Sequence, residues 1–161
     1  MRVNLPVTQR EYDYPADRML VSMTDSKGVI THCNHAFVET SGFTYEELIG
    51  QNHNLVRHPD MPPAAYRDMW NTIGHGHPWT ALVKNRRKDG DHYWVQANVT
   101  PVLENGKPKG YMSVRVKPSR QEIAAAEALY AQLRDEEKSG KSTVYLRGGH
   151  VHYRGIRGWA G

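Results

Sequence analysis

Three ionisable side chains fall within four positions of the segment LVRHPDMP (55–62): Arg57, His58 and Asp60. Pro59 and Pro62 stiffen the backbone around them. Such a set could hold a metal, move a proton or bind a charged cofactor. Arg57 could fork two oxygens of an anionic group, with His58 donating a further hydrogen bond. Asp60 precedes the helix that Pro62 opens, near its positive end, where it could serve as a cap. The alternative needs no ligand: a local Arg–Asp pair beside a helix start.

Other combinations point to less. The nine histidines include close pairs at His32 and His35, His75 and His77, and His150 and His152. None forms an H-x-x-x-H pair on a helix or accompanies a cysteine pair, so no metal site is expected. His53 or His58 could ligate a haem iron axially. Cys33 is the single cysteine, which excludes a disulfide framework and a multi-cysteine zinc site. There is no G-x-S-x-G, no convincing acid pair and no G-x-G-x-x-G. An enzyme is therefore not expected.

The elements that must position these residues can be read from periodicity and turn chemistry. The chain has 161 residues, 39% hydrophobic and 24% charged, enough for one domain with a core and a tail. MLVSMTD (19–25) and VITHCN (29–34) form a hairpin around Gly28. Asn34 starts a short helix that Gly42 stops. Thr44 to Glu47 is a capping box opening another, which Gly50 ends. PPAAYRDMWNTIG (62–74) places Ala65, Tyr66, Met69, Trp70 and Ile73 on one helical stripe. Three longer strands follow, at 79–87, 91–102 and 110–117, turning at Asp89-Gly90 and Asn105-Gly106. Ser119 to Glu122 is a second capping box. It starts a helix to about Glu137 with Ile123, Ala126, Leu129, Tyr130 and Leu133 on one side.

The expected architecture is α+β: a five-stranded antiparallel sheet with short helices on one face, a pocket between, and a C-terminal helix. The divisions are an N-terminal cap (1–18), a central domain (19–118), a linker helix (119–137) and a basic tail (138–161). The tail carries Lys138, Lys141, Arg147, Arg154 and Arg157 and no acid, whereas the rest has 16 bases and 17 acids. A solvated tail, an anionic surface or the flank of a membrane helix would each account for it. Regular basic and aromatic interleaving is missing, so no nucleic-acid partner is expected. Neither a signal peptide nor a membrane-spanning stretch is present in this sequence.

The runs GVITHCNHAFVETSGFTYEELIGQNHNLVRHPDMP, KNRRKDGDHYWVQANVTPV and GYMSVRVK resemble a PAS domain. More closely, they are similar to the sensor domain of bacterial aerotaxis receptors, over roughly residues 8–135. The resemblance implies a PAS fold and non-covalently bound FAD whose redox state is read. It implies a cytoplasmic domain of an inner-membrane-anchored, homodimeric receptor. The signal would pass through a membrane-proximal domain to a chemotaxis transducer. It also implies that Arg57, His58 and Asp60 serve FAD binding, through pyrophosphate and ribose. A cofactor-free PAS interaction module, a haem oxygen sensor and a flavoenzyme remain alternatives.

Strand alternation places Trp79, Ala81, Val83 and Asn85 on the inner face. Asn85 matches the first asparagine of the flavin-holding N-x-R-K-D-G block of light-sensing LOV domains. The second asparagine of that pattern falls at Val95 and its strand glutamine at Arg115. Arg115 would favour an anionic flavin, or else make an ion pair at the sheet edge. The LOV cysteine position is His53, so adduct photochemistry is not expected. Trp79 and Tyr93 project inward and could stack on a ring. Asn34 is a helix cap or an adenine or ring contact, and Phe37 belongs to the core or the pocket wall. Trp94, Met112, Val114 and Val116 face outward. Their cover is the N-terminal cap, the helix from 120, a second copy or the signalling domain, and Trp94→Ala is expected to abolish signalling while sparing flavin.

Overall fold

The computed structural model describes residues 4–154. Five antiparallel strands form one sheet: β1 (Leu20–Asp25), β2 (Ile30–Cys33), β3 (Trp79–Arg86), β4 (His92–Glu104) and β5 (Lys107–Val116). Their spatial order is β2-β1-β5-β4-β3. The short helices α1 (His35–Ser41) and α2 (Tyr45–Leu48), a 3₁₀ turn (His53–Val56) and the longer α3 (Pro63–Gly74) lie between the two hairpins in sequence.

Local chemistry sets these boundaries. The Asp25 carboxylate accepts from Lys27 N and Val29 N, which closes the first turn. Gly28 takes φ +86° there, and a side chain would also press on the Trp70 ring. Asn34 Oδ1 caps α1 at Phe37 N, and Thr44 with Glu47 makes the capping box of α2. β4 and β5 run past the expected ends to a two-residue turn at Asn105 and Gly106, both with positive φ.

Register divides the sheet into two faces. Trp79 pairs with Val99, Ala81 with Ala97, Val83 with Val95 and Asn85 with Tyr93. Ala97 in turn pairs with Arg115, and Val99 with Ser113. These residues share the inner face, as the alternation requires. Together with Leu20, Phe37, Leu48, Val56, Ala65 and Ile73 they form the buried core.

The outer face is covered on its β3–β4 half. Helix α4 (Arg120–Ser139) lays Ile123, Ala126, Tyr130 and Leu133 against it. Tyr130 stacks on Trp94 with ring centroids 6.2 Å apart, and its hydroxyl donates to Leu82 O. The N-terminal segment crosses the same region. Tyr14 is buried and donates to Trp94 O at 2.6 Å, while Tyr12 N donates to His92 O and His92 N to Arg10 O along this seam. This corrects the reading of Trp94 as a partner contact, because intramolecular packing already buries it. Substituting it would strike the fold before any signal. The open outer surface lies over β1 and β5, where Met23 and Met112 are exposed and Val114 and Val116 half-buried.

The basic segment after α4, whose order the sequence leaves open, forms a hairpin. Val144–Arg147 (β6) pairs with His150–Tyr153 (β7) in a second, two-stranded sheet. Its Val144 is buried, so the segment through Arg154 is folded against the domain. Arg157 lies outside the described residues.

Tyr14→Ala removes both a buried ring and the hydroxyl that satisfies Trp94 O. It is expected to cost about 3–5 kcal/mol in urea unfolding, whereas Met23→Ala should shift stability by no more than about 0.5 kcal/mol.

Candidate functional site

A cavity of about 280 Å³ separates the inner sheet face from the 3₁₀ turn and α3. The sheet supplies Trp79, Val83 and Asn85 from β3, Ala97 and Val99 from β4, and Tyr111, Ser113 and Arg115 from β5. The helical side supplies Tyr66, Met69, Trp70 and Ile73, the same stripe that the periodicity defines. Asn52, His53, Asn54 and Arg57 form one edge, and exposed Lys27 stands at the rim. Apolar walls with a few converging polar groups are the usual form of a small-molecule site.

The electrostatics are one-sided. Lys27, Arg57 and Arg115 line the cavity, and no aspartate or glutamate does. Arg115 is buried, and burial lowers its pKa to about 10, leaving it charged at neutral pH. Its Nη2 donates to Ser22 Oγ at 3.0 Å and meets His53 Nε2 at 2.7 Å, and its Nη1 has no partner among the described residues. A guanidinium only donates, so His53 Nε2 accepts and the imidazole is neutral. Burial first, and then the Arg115 charge, push the His53 pKa down to about 3.

Arg57 lies over the Tyr66 ring, 3.7 Å from its centroid, and its Nε is buried without a partner. A backbone bridge between Arg57 and Asn85 ties the segment to the free edge of β3. Burial raises the Tyr66 phenol to about 12 even against the neighbouring Arg57 charge, so it stays protonated.

The structure thus gathers His53, Arg57, Trp79, Asn85 and Arg115 around one cavity. The other named residues lie beside or away from it. Phe37 is buried edge-on to His53, with centroids 5.8 Å apart, behind the wall. Tyr93 is buried below Asn85, packed edge-on to Tyr14, with its hydroxyl unpartnered among the described residues. The Asn34 side chain is spent on Phe37 N, Val21 N and Met19 O, so it caps and braces rather than facing the cavity.

His58 and Asp60 point elsewhere. The His58 Nδ1 accepts from Asp60 N at 3.0 Å, and its ring meets His92 edge-on. Burial and the Lys84 charge lower its pKa to about 4. Asp60 pairs with Lys84 at 2.8 Å, on the outer side of β3. Burial acts to raise the Asp60 pKa, but the Lys84 hydrogen bond and charge bring it below the usual carboxylate value. Alternation explains the split: Lys84 and Asn85 are neighbours on an edge strand and face opposite sides. The segment wraps that edge, sending Arg57 to one side and Asp60 to the other. Among the described residues no three metal-ligating side chains converge.

Sequence reasoning passed over Lys27, which belongs to the first turn, and Asp68, which braces the wall by accepting from Trp79 Nε1 at 2.8 Å. Asp68 falls on the polar side of the α3 stripe, where periodicity assigns it to solvent.

Residues 30–115 match the sequence family described as the PAS fold. The chain belongs to the PAS-fold family. Its domain is 48% identical, over 96% of this chain, to the aerotaxis receptor of Escherichia coli. It is 32% identical, over 59% of this chain, to the nitrogen fixation regulatory protein of Klebsiella pneumoniae. The PAS chain spans 29% of the first relative and 19% of the second. Among solved structures, the dark structure of the blue-light photoreceptor Aureochrome1 LOV superposes with a TM-score of 0.61. It covers 81% of this chain and 99% of that one, at 20% identity. A structure described as a flavin analogue study of the light-oxygen-voltage domain mechanism gives 0.60, covering 76% and 89% at 22% identity. These likenesses show the fold. Cys33 lies at the end of β2, away from the cavity lining, while His53 stands within it.

Folded His53 refuses a proton that the unfolded chain accepts below its ordinary value of 6.5. Its contribution to stability is therefore complete above pH 6.5 and is lost as the pH falls towards about 3. His58, held at about 4, acts with the same sign. His53→Gln keeps an acceptor for Arg115 but cannot titrate. Its urea midpoint should fall less steeply than wild type between pH 6.5 and 4.

Proposed function

We propose that this PAS domain binds FAD non-covalently in the inner cavity and reports its redox state. The reading is carried by one observation: an apolar cavity whose charged lining residues are all cationic, with an Arg115 guanidinium nitrogen buried and unpartnered. A planar ring would lie between the β3–β4 wall and the Tyr66, Met69 and Trp70 side. The orphaned donors on Arg115 and Arg57 suit an anionic, oxygen-rich occupant. The 48% identity to an aerotaxis receptor supports the same choice.

Bound FAD would supply reversible acceptance of electrons. The protein's part is electrostatic. Among the described residues no carboxylate lines the cavity or pairs with Arg115, so its field favours any occupant state that gains negative charge. His53 remains neutral and adds no competing charge. Asn85 offers an amide that can donate and accept at a mixed ring edge. Arg57 and Lys27 would hold phosphate. His58 and Asp60 would act indirectly, by fixing the turn that carries Arg57. Ser113 and Tyr111 complete the polar floor, and Ser22 braces Arg115 from behind it. Ser22 Oγ lies 3.3 Å from His53 Nε2, but Arg115 Nη2 donates to both, and the domain is read as a sensor rather than an enzyme.

The signalling partner would be a membrane-proximal domain of the same receptor, meeting the open β1–β5 part of the outer face at Met112, Val114 and Val116. On this reading the domain is the cytoplasmic part of a homodimeric receptor anchored in the inner membrane. Among the described residues no helix is long and apolar enough to cross a membrane.

The purified protein should show oxidised-flavin absorption bands and release intact FAD on heating. Arg57→Ala should weaken FAD by about ten- to a hundredfold in a titration, the scale of a lost charge-assisted contact. Release of FMN would keep the cavity and remove the phosphate role of Arg57. A colourless, folded protein that refuses added FAD would leave a cofactor-free interaction module.

A further inference from the structure

The C-terminal hairpin is seated by a single buried carboxylate. Asp68, on α3 behind the cavity wall, is buried and pairs with no basic side chain among the described residues. Its charge is instead held by N–H donors from two places. Oδ2 accepts from the Trp79 indole at 2.8 Å and from Gly149 N at 2.7 Å. Oδ1 accepts from Gly148 N at 2.8 Å. Two successive backbone N–H groups of a turn make an anion-binding concavity. Gly148 and Gly149 adopt φ +62° and +87°, and a Cβ on Gly149 would fall on Thr80 O of β3. The turn therefore sits against the free edge of β3 as closely as a backbone can.

The base of the hairpin is fixed separately. Glu136 of α4 accepts from Thr143 N, Val144 N and the Thr143 hydroxyl. Docking of the tip can thus change while the base stays anchored. Trp79 meets both regions, since its ring lines the cavity and its N–H reaches Asp68.

We infer that Asp68 is a positioning residue that couples the cavity wall at Trp79 to the docking of the β6–β7 hairpin. A buried carboxylate must keep its donors or be rehydrated. An occupant that moves the indole changes one of the three donors and so changes how strongly the carboxylate holds the two glycines. Linkage makes the effect reciprocal: loosening the hairpin must alter the occupant's affinity by the same factor. The identity of the occupant as FAD rests on the function proposed above. The tie between Trp79 and the hairpin does not.

The test is amide hydrogen exchange at Gly148 and Gly149 in the 161-residue chain, together with FAD titration. Without FAD, Trp79→Phe should speed exchange at both glycines about tenfold while the β4–β5 amides stay protected. Unchanged glycine exchange would overturn the coupling. With FAD, Gly149→Ala should open the hairpin and shift FAD affinity at least threefold. An opened hairpin with unaltered affinity would also overturn it. Asp68→Asn, nearly isosteric, should reproduce the opening and serves if Gly149→Ala does not fold. A wild-type protein that binds no FAD would defeat the flavin reading alone, and the Trp79→Phe result would still decide the coupling.

Discussion

The contact between the Arg115 guanidinium and the His53 imidazole, 2.7 Å apart, organises the site. It joins the last strand of the sheet to the turn that leads into Arg57. It brings a full positive charge inside without a carboxylate to meet it. That is costly unless donors find acceptors; Ser22 and His53 serve Nη2, and Nη1 is left without a partner among the described residues. The same contact holds His53 neutral, because a second positive charge there would oppose the first. Polarity at the cavity floor and the closure of its edge thus come from one interaction.

Around that contact the sheet sorts its residues by face. β3 sends Asn85 to the cavity and Lys84 to the far side, and the segment 57–60 divides likewise, with Arg57 inside and Asp60 outside. Cavity-lining and outward-facing residues are therefore interleaved residue by residue along the edge. A change at Asp60 would reach the cavity through the backbone, by way of the turn that carries Arg57. The outer face is shared between the domain's own elements and the surface left open. Tyr14, Trp94 and Tyr130 seal one half, while Met23 and Met112 remain at the other.

Much of the fold was legible in local chemistry. The capping boxes at Thr44 and Ser119, the Asn34 cap and the α3 stripe lie where short-range rules put them. Each depends on groups within a few residues of one another. The inner face of β3 was equally readable, since a period of two admits only two assignments. The hairpin after α4 was missed despite its signal: VYLR and HVHY flank Gly148-Gly149, a turn pair suited to two positive φ values. Its basic composition drew attention away from that pattern. Lys27 and Asp68 had no such signal, because nothing in their neighbourhoods distinguishes a solvated side chain from one that a distant element folds over.

The sequence by itself determined the elements, the faces of the strands, the likeness to PAS sensors and the inward course of Asn85 and Arg115. The elements through α4, the strand faces and the course of Asn85 rest on periodicity, capping and turn geometry, which act over short separations, whereas the likeness to PAS sensors and the placing of Arg115 rest on motif resemblance. Only the tertiary structure decided which ionisable groups share a space. It brought Arg57 and Arg115 to one cavity and paired Asp60 with Lys84 behind the sheet. It also buried Trp94 under α4 and set Asp68 between Trp79 and the hairpin tip. The physical reason is that charge pairing and desolvation depend on distance in space, and strands far apart in the chain set that distance.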